Sequence, residues 1–237
     1  MAVDNPIYVA LDLGSAEEAT KLAQRIAPHV GGFKIGLGLL HGPGPAVVGA
    51  VASLGLPVFA DAKLHDIPTQ VRSAARSLAR HGARWITAHA SGSSEMLEAA
   101  VEGAGSVPSG DAGILGVTVL TSLGGADLTK LGFGSSPGKL VSRLAKIVEG
   151  AGCEGLVCSP QELGIVRDVA PGLVTFVPGI RPEGVPAHDQ VRTATPQEAI
   201  MRGAAYLVVG RAITAAHDPV AAAAAIAESV KEFLQNS

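Results

Sequence analysis

Asp61, Lys63 and Asp66 carry the chain's densest chemical signal. They stand in Phe59-Ala60-Asp61-Ala62-Lys63-Leu64-His65-Asp66-Ile67-Pro68, which opens like a buried strand at Pro57-Val58-Phe59-Ala60. Charge in such a place is expensive unless it is paired or used. Residues two apart on a strand share a face, so Asp61 and Lys63 present an acid and an ammonium side by side. Asp66 follows on the loop beyond the strand tip. An ammonium held next to a carboxylate suits a reaction in which negative charge develops on a substrate: it can stabilise that charge and then protonate it. At ~4 Å and an effective dielectric of ~20, one such ion contact is worth about 4 kcal/mol.

Positioning these groups takes a scaffold, and the chain supplies a repeated strand–helix unit. Ile7 to Asp12 is a near-continuous apolar run ending in an acid, as expected of a strand buried on both faces. Gly14-Ser15 offers a turn and an N-cap for a helix over Ala16 to Ala27, with Ala19, Leu22, Ala23 and Ile26 at helical spacing. The unit recurs. Strand two is read over Phe33 to Leu37, with Lys34 a lone charge inside it, and helix two over Pro45 to Leu54. Pro57 to Leu64 gives strand three and Thr69 to His81 helix three. Arg84 to His89 and Ser94 to Glu102 form the fourth pair. Strand five runs Ile114 to Thr121, followed by a long polar connection over Leu123 to Ser136 and helix five over Gly138 to Ala151. The sixth pair is Gly155 to Ser159 and Gln161 to Asp168. Leu173 to Val177 is strand seven. After a second long loop, Pro178 to Thr195, helix seven covers Pro196 to Arg202. Tyr206 to Val209 is strand eight, and Asp218-Pro219 caps the last helix. Eight such units in 237 residues read as one (β/α)8 TIM barrel spanning 1–237. A doubly wound open sheet is the alternative, weakened by the lack of Gly-x-Gly-x-x-Gly after the first strand.

A barrel of this kind carries its active site at the C-terminal ends of its strands. The strand-borne charges fall there: Asp12 after strand one, Lys34 in strand two, Asp61 and Lys63 on strand three. Thr121 ends strand five and Arg211 follows strand eight. Unrelated salt bridges at the barrel mouth would explain any one of these, but two lysines and two or three aspartates in one mouth point to a site. The two long loops open on the same face, and loops of such length commonly work as lids or binding segments. Backbone amides after strands seven and eight form a phosphate cradle in many such barrels. Arg181, in Pro178-Gly179-Ile180-Arg181, and Arg211, in Gly210-Arg211, add bidentate donors, so phosphate is the expected handle on the substrate.

Composition limits the alternatives. The net charge of −3 gives no basic excess for nucleic acid, and aromatics at 3% offer few stacking platforms. Apolar residues make up 47% of the chain, which suits a large core. Cys153 and Cys158 match no zinc spacing and read as reduced thiols of a cytoplasmic protein. The N-terminus has no signal-peptide pattern, and the alanine run 221–225 is too short to cross a bilayer. His65 and His89 are weighed as metal ligands and set aside, because the neighbouring lysines would repel a divalent cation.

Asp61-x-Lys63-x-x-Asp66-Ile67-Pro68 resembles the signature of the orotidine 5′-phosphate decarboxylase family. The resemblance covers essentially the whole chain through Ala10-Leu11-Asp12, Phe33-Lys34-Ile35-Gly36, Leu120-Thr121-Ser122, Val157-Cys158-Ser159, Pro178-Gly179-Ile180-Arg181 and Val208-Val209-Gly210-Arg211. It implies conversion of orotidine monophosphate to UMP and CO2, the last step of de novo pyrimidine nucleotide synthesis, without metal or cofactor, by a cytoplasmic dimer of barrels. By position, it makes Lys63 the proton donor, with Asp12, Lys34 and Asp61 completing the charged array. Asp66 would enter the partner subunit's site. Thr121 would contact the pyrimidine. Arg181, Gln190, Gly210 and Arg211 would hold the phosphate, beside Pro178, and Thr69 would bind substrate. Two departures stand out: the family commonly has a bulkier residue at Ala62, and Asn-Thr where this chain has Thr69-Gln70.

Two rival readings remain. The sugar-phosphate branch of the superfamily (3-keto-gulonate 6-phosphate decarboxylase and hexulose-phosphate synthase) shares Asp61-x-Lys63-x-x-Asp66. It uses a divalent metal and has an acid at the position of Lys34. A non-catalytic nucleotide-binding barrel would be expected to have lost a charge of the array, and none is lost.

Overall fold

The computed structural model describes residues 5–108, 111–134, 136–182 and 193–236. Eight parallel strands close into a barrel in sequence order: β1 (Ile7–Ala10), β2 (Gly32–Ile35), β3 (Val58–Leu64), β4 (Ala83–His89), β5 (Gly113–Val117), β6 (Gly155–Val157), β7 (Val174–Val177) and β8 (Tyr206–Val209). β8 closes the ring by pairing Val208 with Tyr8. The helices, in order, are α1 (Ala16–Ile26), α2 (Leu37–His41), α3 (Ala46–Ala52), α4 (Pro68–Arg80), α5 (Ser94–Gly105), α6 (Gly125–Lys130), α7 (Pro137–Gly150), α8 (Leu163–Val169), α9 (Pro196–Met201), α10 (Arg211–Thr214) and α11 (Pro219–Gln235). The expected (β/α)8 barrel is therefore the architecture.

Alternation along the strands sorts side chains into two apolar cores. Ile7, Val9 and Leu11, with Phe33 and Ile35, Val58 and Ala60, Ile86 and Ala88, belong to the large core that the helices share. Tyr8 and Ala10, Phe59, Trp85, Leu115, Phe176 and Val208 form a second cluster inside the barrel. The same inward parity continues from Phe59 to Asp61 and Lys63, and from Trp85 to Thr87.

Several elements end earlier than the sequence suggests. β1 stops at Ala10, so Asp12 lies on the following turn; one further ladder bond, Leu11 N–H to the Lys34 carbonyl at 2.9 Å, steers the chain there. β5 stops at Val117 rather than Thr121, and Thr121 follows it on a turn closed by the Leu123 amide on the Leu120 carbonyl at 2.9 Å. β6 stops at Val157, short of Ser159. β2 stops at Ile35, and Leu37 opens the short α2. α6 lies within the connection expected to be irregular, and α10 begins directly after β8. Helices of four to six residues span too few turns to produce a helical apolar period, so pattern reading passes over them. The cap signals do form: Ser15 Oγ accepts the Glu18 amide at 3.2 Å, and Asp218 Oδ1 accepts those of Val220 and Ala221.

Candidate active site

Lys34, Asp61 and Lys63 meet at the C-terminal mouth of the barrel because they occupy inward positions on adjacent strands, with Lys34 in register with Phe59. Lys63 Nζ bonds Asp61 Oδ1. Lys34 Nζ lies 3.5 Å from Asp61 Oδ2 and 3.3 Å from Asp12 Oδ1. The order of charge is therefore Asp12, Lys34, Asp61, Lys63, alternating in sign across three strand ends. The two lysines and Asp61 keep between 12% and 23% of their side-chain surface, whereas Asp12 keeps 63%. Burial alone would raise the Asp61 carboxyl's pKa. Lys34, then Lys63 with its hydrogen bond and that of Thr87, outweigh burial and hold the pKa below the usual carboxylate value.

Two backbone features make room for the array. Lys63 has φ of 52°, in the left-handed region that side chains other than glycine's enter at a cost, and the β3–β4 register shifts between Ala60 and Leu64. The kink lies where the Lys63 side chain leaves the strand. Gly36 follows β2, and a Cβ there would sit 2.7 Å from Asp12 Oδ1 and 3.2 Å from Lys34 Nζ.

The array lines a cavity of about 420 Å³ that also reaches Thr121, Pro178, Arg181, Gly210 and Arg211. The cavity thus brings the Asp–Lys array together with two arginines that follow β7 and β8. Arg181 is almost fully buried, with one guanidinium nitrogen 2.8 Å from the Ile180 carbonyl. Arg211 is exposed at the start of α10. Apolar residues, among them Ala10, Val117, Val157 and Val208, line the rest.

The chain matches the model of the orotidine 5′-phosphate decarboxylase / HUMPS family over residues 5–226. A curated relative from Anaeromyxobacter sp. (strain K), named orotidine 5′-phosphate decarboxylase, is 50% identical over 93% of this chain and 96% of its own length. One of the same name from Thermobifida fusca is 46% identical over 96% of each chain. The crystal structure of orotidine 5′-phosphate decarboxylase from Lactobacillus acidophilus superposes with a TM-score of 0.83 at 34% identity, covering 96% of this chain and 99% of that one. The chain belongs to the orotidine 5′-phosphate decarboxylase / HUMPS family. Those named relatives are carboxy-lyases.

Against that family pattern, one cavity gathers Asp12, Lys34, Asp61, Lys63, Thr121, Pro178, Arg181, Gly210 and Arg211. It does not include Asp66 or Thr69. Asp66 is exposed, accepts the Ile67 amide on its own carboxylate at 2.6 Å, and lines a separate cavity of about 290 Å³ with Ala62, His65 and Gln70. Thr69 is exposed at the start of α4. Gln190 lies outside the described residues. The His65 and His89 rings lie tilted against each other with centroids 5.3 Å apart. Burial, then His65 and Lys63, hold the His89 imidazole below its usual pKa. Among the described residues no three His, Cys, Asp or Glu side chains converge as metal ligands, and no helix is long and apolar enough to cross a membrane.

Two further side chains, neither among the expected site residues, stand at the cavity or the array. Cys158 lines the cavity, and burial, then Glu162, push its thiol's pKa up, which keeps it protonated. Thr87 is fully buried on β4 and touches both Asp61 and Lys63. A hydroxyl between Trp85 and His89 on one face of β4 was its only signal.

Proposed function

We propose that this protein decarboxylates orotidine 5′-monophosphate to UMP and CO2 in pyrimidine nucleotide synthesis, with the whole chain acting as one catalytic domain. The observation that carries the reading is the alternating array Asp12, Lys34, Asp61, Lys63 in a cavity that two arginines also line. Breaking the bond from the pyrimidine C6 to the carboxylate leaves the electron pair on a ring carbon, and CO2 departs neutral. That carbanion needs electrostatic stabilisation and a proton. Lys63 supplies both: its ammonium faces the developing charge and then protonates C6, and solvent later restores the lysine's proton.

Asp61 holds Lys63 charged and lies near the departing carboxylate, while Lys34 links Asp61 to Asp12. Thr121 and Pro178 border the pyrimidine. Arg181, Gly210, Arg211 and Gln190 hold the phosphate, whose binding energy is used to organise the distant reacting end. The lysine at position 34, in place of an acid, favours this chemistry over that of the metal-dependent sugar-phosphate branch. The active form is a cytoplasmic homodimer that needs no metal or organic cofactor. Asp66 and Thr69 reach the partner's site, in keeping with their exposure and their place outside this chain's own cavity.

The test is an ultraviolet assay of purified protein with orotidine monophosphate in the presence of EDTA. Turnover to UMP is expected. No turnover, or turnover only after Mg2+ is added, would overturn the reading.

A further inference from the structure

We propose that Thr87 is a positioning residue that fixes the geometry of the Lys63–Asp61 pair from the neighbouring strand; for turnover, this rests on the decarboxylase reading above. Thr87 has no exposed surface. Its hydroxyl makes two contacts at once. It donates to Asp61 Oδ1 at 3.0 Å and accepts the backbone N–H of Lys63 at 2.9 Å. Asp61 Oδ1 is also the oxygen that Lys63 Nζ bonds, while Oδ2 faces Lys34 at 3.5 Å. The hydroxyl therefore sets the rotation of the carboxylate, directing one oxygen to each lysine.

The second contact bears on the backbone. Lys63 stands at φ of 52°, where the β3–β4 ladder shifts register, so its amide lacks the ladder partner that a regular strand would give it. The Thr87 oxygen takes that amide. One hydroxyl thus holds the kink from which the lysine projects and the carboxylate that the lysine meets. A valine of the same shape would keep the packing and lose both contacts.

Three variants read this out. Thr87→Val is expected to lower kcat by about 10- to 100-fold, the scale of misplacing a catalytic group by about 1 Å. Its affinity for UMP should stay within about twofold, because the residues proposed to hold the phosphate are untouched. Thr87→Ser keeps the hydroxyl and should retain kcat within about threefold. Thr87→Cys, with a weak donor and acceptor, should fall between them and serves if the valine variant fails to fold. A wild-type kcat in the valine or cysteine variant would overturn the proposal. So would a serine variant as impaired as the valine one, or a fall in UMP affinity parallel to kcat.

A second arm needs no substrate. The Asp61 carboxyl is held below its usual pKa and faces Lys34 from β2, Lys63 on its own strand and His89 further along β4. A depressed carboxylate contributes stability above its unfolded pKa of about 4 and loses it as pH falls through the folded value. The gap in urea midpoint between wild type and Thr87→Val should therefore narrow from pH 7 to below about pH 4. A gap equal at both pH values would mean that the threonine only packs, whether or not the protein is a decarboxylase.

Discussion

The two ends of the barrel are built from the same strands and hold opposite kinds of matter. The N-terminal end is filled by rings: both tyrosines, the single tryptophan and two of the five phenylalanines. Phe176 meets Tyr8, Phe59 and Trp85 at 5.2 Å and stacks on Tyr206 at 4.5 Å, mostly in edge-to-face contacts. Within this layer Trp85 Nε1 donates to Tyr8 Oη at 3.0 Å. Burial pushes the Tyr8 hydroxyl up to about 12, so it stays neutral. At the C-terminal end the same inward parity places Lys34, Asp61 and Lys63 instead. Two residues along β3, from Phe59 to Asp61, cross from one regime to the other. The base lowers free energy by excluding water, and the mouth keeps charges that are useful only because they are partly desolvated.

Substitutions at the two ends should therefore separate turnover from stability. The largest expected effect is at the mouth. Lys63→Ala should reduce turnover at least a thousandfold, on the scale of removing a general acid and a local charge together. It should still bind UMP and unfold near the wild-type temperature, as calorimetry would show; retained activity would remove Lys63 as the acid. Mixing it with Asp66→Ala subunits should restore part of the activity through one intact site per heterodimer. No recovery after confirmed subunit exchange would break the shared-site arrangement.

The base should respond in reverse. Phe176→Ala removes the ring at the centre of the aromatic layer and should cost about 3–5 kcal/mol in stability. Turnover per folded molecule should stay within a few-fold. A variant that folds stably yet is inactive would show that the two ends are coupled.

A pair of glycines sharpens the contrast with smaller effects. A Cβ on Gly32 would sit 2.4 Å from the Tyr8 ring and 2.7 Å from the Pro57 carbonyl, neither of which gives easily. Gly32→Ala should cost about 1–3 kcal/mol, as overpacking does, with little change in kcat. At Gly36 the obstruction is the end of the exposed Asp12 side chain and Lys34 Nζ. Gly36→Ala should fold nearly as well as wild type and lose about tenfold in kcat, roughly 1.4 kcal/mol in the barrier. Equal responses in both assays would erase the distinction between the ends.

Much of this contrast was legible in the chain. Local rules place Asp61 beside Lys63 and mark Ile7 to Asp12 as a strand buried on both faces, and they put caps at Ser15 and Asp218. The short helices α2, α6 and α10 were not legible, because one turn of helix leaves no period to read. Thr121 was assigned to a strand that ends four residues earlier, since an apolar run does not record where its neighbour's ladder stops. The cysteines were read as reduced thiols; both are free and buried, and Cys158 also lines the cavity, a fact that depends on how β6 leaves the sheet.

The order of residues along the chain sets the period of burial, hence eight strand–helix units, and the shared face of Asp61 and Lys63. Both follow from side-chain alternation within a few residues. Assembly of the barrel settles which of each strand's two faces turns inward. It also decides that Lys34 meets Asp12 across 22 positions, that the aromatic residues gather at one end, and that Thr87 on β4 braces a kink in β3. These depend on which strands pair and in what register, and on closure of the ring, which leaves no sheet edge exposed.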